Sequence, residues 1–301
     1  METYPAAGEY RVVLAEWSLP SGTTTNTAVA LARIGATVTL VGRVGDDEDG
    51  RRLIAAMAAE PGIDVSAFTV KPGTATDCCT VIVSGDPPDR TILWQPGAAI
   101  LRRDRLDIDG LFAHDVVLLD FADHTLRRWL TDLPAHSSPR TRLLGTLTYM
   151  VEGGVPVAED ALEVALRFDT IVGSVSELMA LTGTEDLDAA TAVIRSRMPG
   201  ANLRSCAVSL GAKGCRICTR TEIWDVPALP VDVVDPTGAG DAFAAGIAWG
   251  MAMRWFWPRT GLLANALGAA TTTAIGGQTG LPDRAGIAQL TGVPERELFV
   301  D

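Results

Sequence analysis

Short apolar runs alternate along the chain with longer stretches in which apolar residues recur at helical spacing. The clearest runs are rich in β-branched residues and begin at Val38, Val116, Arg142, Thr170 and Cys206. Nearly continuous apolar runs of this length are typical of parallel strands that are buried on both faces. The pattern therefore predicts a doubly wound α/β fold.

Two of the intervening helices have clear boundary signals. We expect Asn26 to cap the helix TAVALARIG and Gly35 to end it. Ser174 or Ser176 is expected to precede the helix ELMALTG, which stops at Gly183. Polar caps before apolar periodic segments, with glycine after them, support the alternation of strands and helices.

One segment departs from this alternation. The runs CCTVIVS and RTILW are separated by GDPPD, a turn sequence rich in glycine and proline. This combination predicts an antiparallel hairpin inside the parallel fold, and such hairpins often cover a site. No internal repeat, low-complexity tract or linker marks a boundary, so residues 1–301 are expected to form one domain.

Charge and composition limit the choice of partners. The chain has 301 residues and a formal net charge of -12, which would repel nucleic acid and anionic membranes. Its most apolar stretches are interrupted well before the roughly 20 residues that a membrane span requires. The odd number of cysteines, five, and the absence of a signal-peptide pattern at the start favour a cytoplasmic protein.

The stretch VVDPTGAGDAFAAG, from Val233, combines strand, turn and helix signals. VDVV has strand character, Pro236 ends it, and Gly238 and Gly240 permit a tight turn before a small-residue helix. Such a turn presents backbone N–H groups and a helix N-terminus at one point, which attracts anions. Asp241 would repel a phosphate there unless it accepts a proton from an attacking hydroxyl. The structural alternative is an Asp241 that only stabilises the helix start.

Competing motifs are not supported. In a dinucleotide-binding turn, Phe243 would occupy the third glycine position, and no P-loop sequence occurs. Cys215 and Cys218 have C-x-x-C spacing but lack a second pair, and the three histidines show no metal-ligand spacing. We therefore expect no zinc site and no metallohydrolase.

The stretch DPTGAGDAFAAG resembles the signature of the PfkB/ribokinase family of sugar kinases. SGTTTNTAVALARIGATVTLVGRVGDDEDG resembles the family's glycine loop, asparagine-bearing helix and G-x-V-G-x-D turn, and partial matches are SVSELMALTG, SLGAKG and LANALGAATTTAIGG. The motifs run in family order from about Pro20 to about Pro282. The resemblance implies a ribokinase-like three-layer α/β/α fold with a mostly parallel sheet and a small β lid from about residues 8–19 and 76–95.

The resemblance also implies residue roles in the reaction. Asp241 corresponds to the general base, and backbone amides of the turn form the anion hole. The turn residues are Gly238, Ala239 and Gly240. Sugar hydroxyls are expected at Gly22 and Asn26. Arg90, in the predicted hairpin, is a further substrate-binding candidate for a phosphate or carboxylate, the alternative being a solvated turn arginine.

The same resemblance implies ATP as the phosphate donor and two kinds of metal ion. Glu177 corresponds to the glutamate that organises Mg²⁺ and phosphate through water, and Asp235 lies where a monovalent cation such as K⁺ is organised. The positions expected to contact or border the nucleotide are Gly211, Lys213, Gly214, Thr237, Asn265 and Gly277. Backbone dipoles, Mg²⁺ and Lys213 would let an acidic chain bind an anionic nucleotide.

Two positions depart from the family pattern. The usual glycine pair is Ser21-Gly22, so a side chain enters where a sugar approaches the backbone, and we expect the substrate's shape to differ there. The usual asparagine three residues before Glu177 is Ser174, whose shorter side chain leaves room for a water.

The start of the chain departs most. Family members open with a core strand bearing an aspartate that grips two sugar hydroxyls, then a lid strand, then the glycine loop, whereas only about twenty residues precede Ser21. EYRVVLAEW is either the core strand, with Glu16 replacing the aspartate, or the second lid strand, with the core strand absent. We favour the second interpretation, which predicts an incomplete sugar site.

The sequence therefore predicts an ATP-dependent carbohydrate kinase that phosphorylates a hydroxyl of a sugar or sugar derivative, with Asp241 as general base. A nucleoside kinase of the same family and a non-catalytic nucleotide- or sugar-binding homologue remain alternatives. The identity of the sugar and the oligomeric state stay open, and a homodimer is one of the possible states.

Overall fold

The structure, a computed structural model, describes residues 4–85, 88–120, 122–133, 141–148 and 158–300. The chain divides into two compact units. The first comprises the described parts of Met1–Ala99, Pro230–Ala242 and Leu267–Phe299. The second comprises the described parts of Ile100–Leu229, Phe243–Ala266 and Val300–Asp301.

Helices and strands alternate through most of the described chain. The helices are α1 (Thr23–Arg33), α2 (Glu48–Ala59), α3 (Ile108–Leu111), α4 (His124–Asp132), α5 (Ala161–Ala165), α6 (Val175–Thr182), α7 (Leu187–Arg197), α8 (Ala239–Ala252), α9 (Trp257–Thr271), α10 (Arg284–Thr291) and α11 (Glu295–Leu298). The strands are β1 (Val38–Thr39), β2 (Gly42–Gly45), β3 (Ile63–Asp64), β4 (Phe68–Lys71), β5 (Cys78–Ser84), β6 (Asp89–Gln95), β7 (Val116–Leu119), β8 (Arg142–Thr146), β9 (Thr170–Ser174), β10 (Ser205–Ser209), β11 (Cys215–Thr219) and β12 (Ile223–Val226).

The second unit is built on a six-stranded sheet of order β12-β11-β10-β9-β8-β7. Strands β7 to β10 are parallel, and β11 and β12 continue the sheet in antiparallel pairing. Ile171 of β9 lies opposite Cys206 of β10, and both side chains are fully buried. The apolar runs from Val116, Arg142, Thr170 and Cys206 therefore form the predicted parallel strands.

Both faces of this sheet are covered, which gives the predicted three layers. On one face, Cys206 and Cys218 belong to a core that includes Leu178 of α6 and Ile194 of α7. On the other face, α9 approaches closely, because a Cβ at Gly261 would lie 2.8 Å from Val226 Cγ2 and 3.2 Å from Cys215 Sγ. An all-apolar run suits a strand in this position because side chains on both faces are buried.

The first unit contains three two-stranded sheets. Strands β1 and β3 pair in parallel, as do β2 and β4, and the predicted hairpin is confirmed by the antiparallel pair β5–β6. The tip of the hairpin includes residues 86 and 87, which lie outside the described residues. The hairpin's function as a lid stays a prediction, as does the organisation of the chain as one domain.

Two predicted strands are wrong. Residues 8–19 form neither strand nor helix, and the side chain of Tyr10 is 88% exposed. Residues 231–234 also form no strand, and the Val234 N–H donates to Thr272 O, at the end of α9 (2.8 Å). An apolar run becomes a strand only where a neighbouring strand accepts its backbone hydrogen bonds, and neither segment has such a neighbour among the described residues.

Helix boundaries agree with the sequence except at α1. This helix begins at Thr23 with Gly22 as its N-cap, so the prediction that Asn26 caps it is wrong. Thr25 Oγ1 donates to Gly22 O (2.9 Å). The side chain of Asn26 contacts Asp241 instead of the start of its own helix. Gly35, with φ of 96°, follows the end of α1 as predicted, and α6 runs from the N-cap Ser174 to Gly183.

Candidate functional site

Asp241 lies in the first turn of α8, where two side chains of α1 hold it. Asn26 Nδ2 donates to Asp241 Oδ2 (2.7 Å), and Thr27 Oγ1 donates to the main-chain oxygen of Asp241 (3.1 Å). Asn26 and Thr27 are themselves 3% and 4% exposed, so these contacts are shielded from water. The carboxylate of Asp241 is thus held in a fixed direction rather than free in solvent.

The glycine turn before Asp241 is tight and leaves open space above it. Gly238 has φ of 80°, and a Cβ there would lie 2.6 Å from Gly277 Cα, so only glycine fits. Two main-chain hydrogen bonds shape the turn: Ala239 N donates to Pro236 O (3.4 Å), and Ala242 N donates to Gly238 O (2.9 Å). A Cβ at Gly240 would meet no atom within 4 Å. The open space therefore lies at the N-terminal end of α8, where the helix dipole favours an anion.

Asp235 fastens this turn to the loop that follows α9. Its carboxylate is 4% exposed and accepts from Thr237 N (2.9 Å) and Gly276 N (2.8 Å). Thr237 Oγ1 is buried and has no partner among the described residues. Because buried hydroxyls are normally hydrogen-bonded, this orphan suits a phosphate oxygen or a cation that arrives with the ligand.

The surroundings of Asn26 include two residues that sequence reasoning did not assign to the reaction. Ser21 Oγ donates to Asn26 Oδ1 (3.2 Å), and Gln278 Nε2 donates to the same oxygen (3.0 Å). Gly277 packs against Asn26, because a Cβ at Gly277 would lie 2.5 Å from Asn26 Nδ2, and its contact with the nucleotide stays a prediction. The only signal in the sequence was the Ser21 departure, and nothing in the pattern singled out Gln278.

Glu177 stands at the start of α6 in the second unit. Its Oε2 accepts from Ser174 N (2.6 Å), and its own N–H donates to Ser174 Oγ (3.3 Å), which completes a capping box. The carboxylate, 7% exposed, therefore has a structural function in the helix cap. Its metal function stays a prediction, because no group of three His, Cys, Asp or Glu side chains able to hold a metal ion occurs in the part of the chain that the structure describes.

The other predicted nucleotide residues of the second unit lie after β10 and on α9. Gly214 has φ of 97°, and a side chain there would overlap Val226 O. Lys213 is exposed in the Gly211–Lys213 turn. Asn265 is buried, and its Nδ2 donates to Val226 O (3.1 Å) and Pro227 O (3.0 Å), so its amide holds the end of β12. Nucleotide contacts at these positions stay predictions.

Arg90 lies on β6 of the hairpin, and the residue is exposed. Its main-chain N–H donates to Asp89 Oδ1 (2.7 Å). A substrate contact for Arg90 stays a prediction. The first unit brings together nine of the predicted residues around α1 and the start of α8: Gly22, Asn26, Asp235, Thr237, Gly238, Ala239, Gly240, Asp241 and Gly277.

Cys215 and Cys218, which have C-x-x-C spacing, do not form a metal-binding pair. Cys215 and Cys218 lie on opposite faces of the sheet, so they cannot share a metal ion. Burial raises the pKa of the Cys215 thiol to about 12, which removes it as a nucleophile at neutral pH.

No helix in the described residues has the length and apolar character needed to cross a bilayer.

A glycine turn at a helix N-terminus, beside a fixed carboxylate, suits an enzyme that activates a hydroxyl and stabilises a transferring phosphoryl group. Residues 15–284 match the model of the pfkB family carbohydrate kinases, and the chain belongs to this family. The protein is accordingly a sugar kinase, a phosphotransferase that acts on a sugar hydroxyl.

Individual relatives cover nearly the whole chain. The fructokinase of Klebsiella pneumoniae is 30% identical over 87% of this chain and 89% of its own length. Among solved structures, a putative ribokinase from Agrobacterium tumefaciens has a TM-score of 0.81 at 26% identity and covers 97% of this chain and 92% of its own. A fructokinase from Vibrio cholerae O395, with fructose, ADP and calcium ion bound, has a TM-score of 0.71 at 22% identity and covers 90% and 91%. The fold is therefore ribokinase-like, as predicted.

Proposed function

We propose that the protein transfers the γ-phosphate of ATP to a hydroxyl of a ketohexose of the fructose type, with Asp241 as the general base. The observation that carries this proposal is the carboxylate of Asp241, oriented by Asn26 at 2.7 Å and adjoining the open glycine turn. The choice of ketohexose is supported by the fructokinase of Klebsiella pneumoniae, to which the chain is 30% identical.

The residues of the first unit supply the acid–base and electrostatic parts of the reaction. Asp241 accepts the proton of the substrate hydroxyl. The hydroxyl oxygen attacks the γ-phosphorus of ATP, and ADP leaves. The backbone N–H groups of Gly238, Ala239 and Gly240 hold the charge on the equatorial oxygens of the phosphoryl group, and the N-terminal end of α8 adds to this field. Close packing of Gly238 against Gly277 restricts the backbone of this turn, which limits the reorganisation of its donors during the transfer.

Metal ions suit two carboxylates in this chain. Mg²⁺ is usually held by substrate phosphates and one or two carboxylates, which fits a site served by Glu177 without a dedicated protein cage. When bound, it neutralises charge on the phosphates. Each oxygen of Asp235 accepts one backbone N–H, and a carboxylate oxygen has further lone pairs, so Asp235 keeps capacity for a monovalent cation such as K⁺.

We also propose a cytoplasmic location. The five cysteines are all free, and three of them, Cys206, Cys215 and Cys218, are buried in the sheet of the second unit. A chain of this cysteine content without disulfides is typical of a reducing compartment, where ATP is available.

The test is a survey of acceptors. ADP release from Mg-ATP is measured by a coupled assay with fructose, glucose, ribose, a keto-deoxy sugar acid, a fructose phosphate, adenosine and inosine, and with no acceptor as the blank. We expect fructose to give the highest kcat/KM and the blank to give little ADP. Mass spectrometry of the product checks that one phosphoryl group has been added.

Each other result selects a different function. A higher kcat/KM for adenosine or inosine would replace the proposal with a nucleoside kinase. A different sugar would keep the kinase and overturn the fructose-type substrate. ATP binding with no turnover on any acceptor would favour the non-catalytic homologue.

A further inference from the structure

We infer that Ser21 and Gln278 are positioning residues for the base: together they fix the side-chain amide of Asn26 so that its NH₂ group donates to the carboxylate of Asp241. This inference rests on the proposed function, in which Asp241 accepts the substrate proton. Ser21, Asn26, Asp241 and Gln278 all belong to the first unit, although they come from three separate segments of the chain.

The direction of the hydrogen bonds follows from chemistry alone. An ionised carboxylate only accepts hydrogen bonds, so the Asn26 atom that lies 2.7 Å from Asp241 Oδ2 must be the amide nitrogen. The amide oxygen then faces Ser21 and Gln278, at 3.2 Å and 3.0 Å. An amide oxygen also only accepts, so both neighbours must donate. The hydrogen bonds therefore form a chain with one direction: Gln278 and Ser21 donate to Asn26, and Asn26 donates to Asp241.

The side chain of Arg33 holds the main chain of Gln278 in place. Arg33 Nη1 donates to Gln278 O (2.8 Å) and to Leu281 O (2.9 Å). The same guanidinium is paired with Glu60 through Nη2 (2.7 Å), and both side chains of this pair are largely buried. The loop that carries Gln278 is thereby tied to α1, the helix that carries Asn26. Because Arg33 and Asn26 lie on the same helix, Gln278 is held close to the Asn26 oxygen that accepts its hydrogen bond.

Steric packing restricts the amide further. A Cβ at Gly277 would lie 2.5 Å from Asn26 Nδ2, so the neighbouring backbone closes around the amide and a side chain at 277 would displace it. Gln278 itself lines a cavity of about 180 Å³ with Leu19, Pro20, Arg33, Gly277 and Thr279. A substituted side chain of similar length therefore fits at 278 without a clash.

Loss of the donors is expected to turn the amide. If position 278 presents an acceptor, the Asn26 oxygen is repelled and the amide rotates, which aims that oxygen at the carboxylate of Asp241. The base then loses a donor and moves off its line to the substrate hydroxyl. Misplacement of a reacting group by about 1 Å costs on the order of 10² in rate.

The experiment compares three replacements of similar length at one position. The side chain introduced by Gln278→Glu can only accept hydrogen bonds at neutral pH. The one introduced by Gln278→Met neither donates nor accepts, and the one introduced by Gln278→Lys can only donate. We expect the pH-independent plateau of kcat to fall in the order Lys, Met, Glu, with Glu about 10- to 100-fold below wild type. KM for ATP is expected to change little. The acid limb of kcat/KM is expected to move to higher pH in Gln278→Glu, since the base loses a donor and gains a negative neighbour.

Controls separate this effect from general destabilisation. Gln289→Glu makes the same change at an exposed position of α10 and is expected to behave as wild type. Ser21→Ala removes the second donor and is expected to lower kcat by about 2- to 10-fold, with a larger loss when combined with Gln278→Met. Melting temperatures of all variants are recorded beside the rates.

Two outcomes would overturn the inference: wild-type kcat and pH profile in Gln278→Glu, or equal losses in all three variants that follow their melting temperatures. A silent wild-type enzyme would instead count against the proposed function. In that case a crystal structure of Gln278→Glu decides the inference without turnover, because the Asn26–Asp241 contact is expected to open beyond hydrogen-bonding distance. Persistence of that contact would overturn it.

Discussion

At the scale of single residues, the direction of the Asp241 carboxylate depends on groups far away in the sequence. Asn26, its donor, lies 215 positions earlier, and Gln278 lies 252 positions after Asn26. The donor is buried, so its hydrogen bond to a charged group is stronger than an exposed one. The orientation of Asp241 is therefore determined by tertiary structure as much as by its own motif.

Replacement of Asp241 by Asn tests its role as a base. Asn cannot accept the proton, so kcat is expected to fall by about 10² or more, while nucleotide affinity by calorimetry stays nearly unchanged. Asp232→Asn, the same change at an exposed neighbour, serves as the control and is expected to leave kcat as in wild type. Turnover within about threefold of wild type in Asp241→Asn would remove Asp241 from the reaction.

Residues within a motif could be predicted from the sequence, whereas their supports could not. Asp241 and the glycine turn were recognisable because the chemistry needs those residue types at adjacent positions. Gln278 has no such spacing, since its contact with Asn26 depends on how Arg33 ties down the loop after α9. Asn26 was assigned to sugar contact and to a helix cap, and the structure corrects the cap.

At the scale of the element, two glycines of the same turn are expected to respond in opposite ways to alanine. Gly238→Ala forces a side chain into a positive φ, which costs about 1–2 kcal/mol, and adds a clash with Gly277. Gly240 lies within α8 and has no neighbour within 4 Å of a new Cβ, so alanine there is expected to raise stability by about 0.5–1 kcal/mol.

In Gly240→Ala, activity and stability are expected to change in opposite directions. If a phosphoryl group occupies the open space at the turn, the methyl group of Gly240→Ala obstructs it, and kcat/KM is expected to fall about tenfold or more although the protein is more stable. Thermal unfolding and the ADP assay are measured on the same preparations. A Gly240→Ala enzyme with full activity would mean that the phosphoryl group does not approach this turn.

The cap of α2 makes stability depend on pH. Hydrogen bonds from the Thr76 hydroxyl, Thr76 N–H and Gly50 N–H lower the pKa of Asp47 to about 2, from an ordinary 3.8. The unfolded chain binds this proton first as pH falls, so the stabilisation is present above about pH 4 and disappears towards pH 2. Asp47→Asn is expected to lower Tm at pH 7 and to approach wild type near pH 2. A constant Tm difference across this range would contradict the assignment.

The strands of the second unit could be predicted because buried parallel strands are apolar throughout and need no further information. The segments 8–19 and 231–234 are equally apolar in places, yet they form no strand. Propensity was the same, but the backbone partners differ, and these are set by parts of the chain distant in sequence. Composition therefore identifies candidate strands, and pairing decides among them.

At the scale of the whole molecule, a chain with a net charge of -12 is assigned an anionic nucleotide as substrate. The field of the whole protein opposes this ligand, and the proposed function assigns the attraction chiefly to backbone N–H groups and bound cations at the turn. Long-range repulsion and short-range attraction respond differently to salt, because mobile ions screen charges beyond about 10 Å at 0.1 M ionic strength but have little effect on direct hydrogen bonds between the ligand and the turn.

The affinity for nucleotide is therefore expected to be nearly independent of ionic strength, or to rise slightly with it. We expect the Kd for Mg-ATP to change less than about threefold, or to fall, between about 0.02 M and about 0.3 M salt, because screening removes repulsion and leaves the local donors intact. Tetramethylammonium chloride is the salt to use, since it changes ionic strength without supplying a cation small enough for Asp235. A separate series with K⁺ at constant ionic strength then measures the specific cation effect. Weakening of about tenfold or more with tetramethylammonium chloride would show that the nucleotide is held by exposed basic side chains such as Lys213, and that the amides of the turn contribute little to its binding.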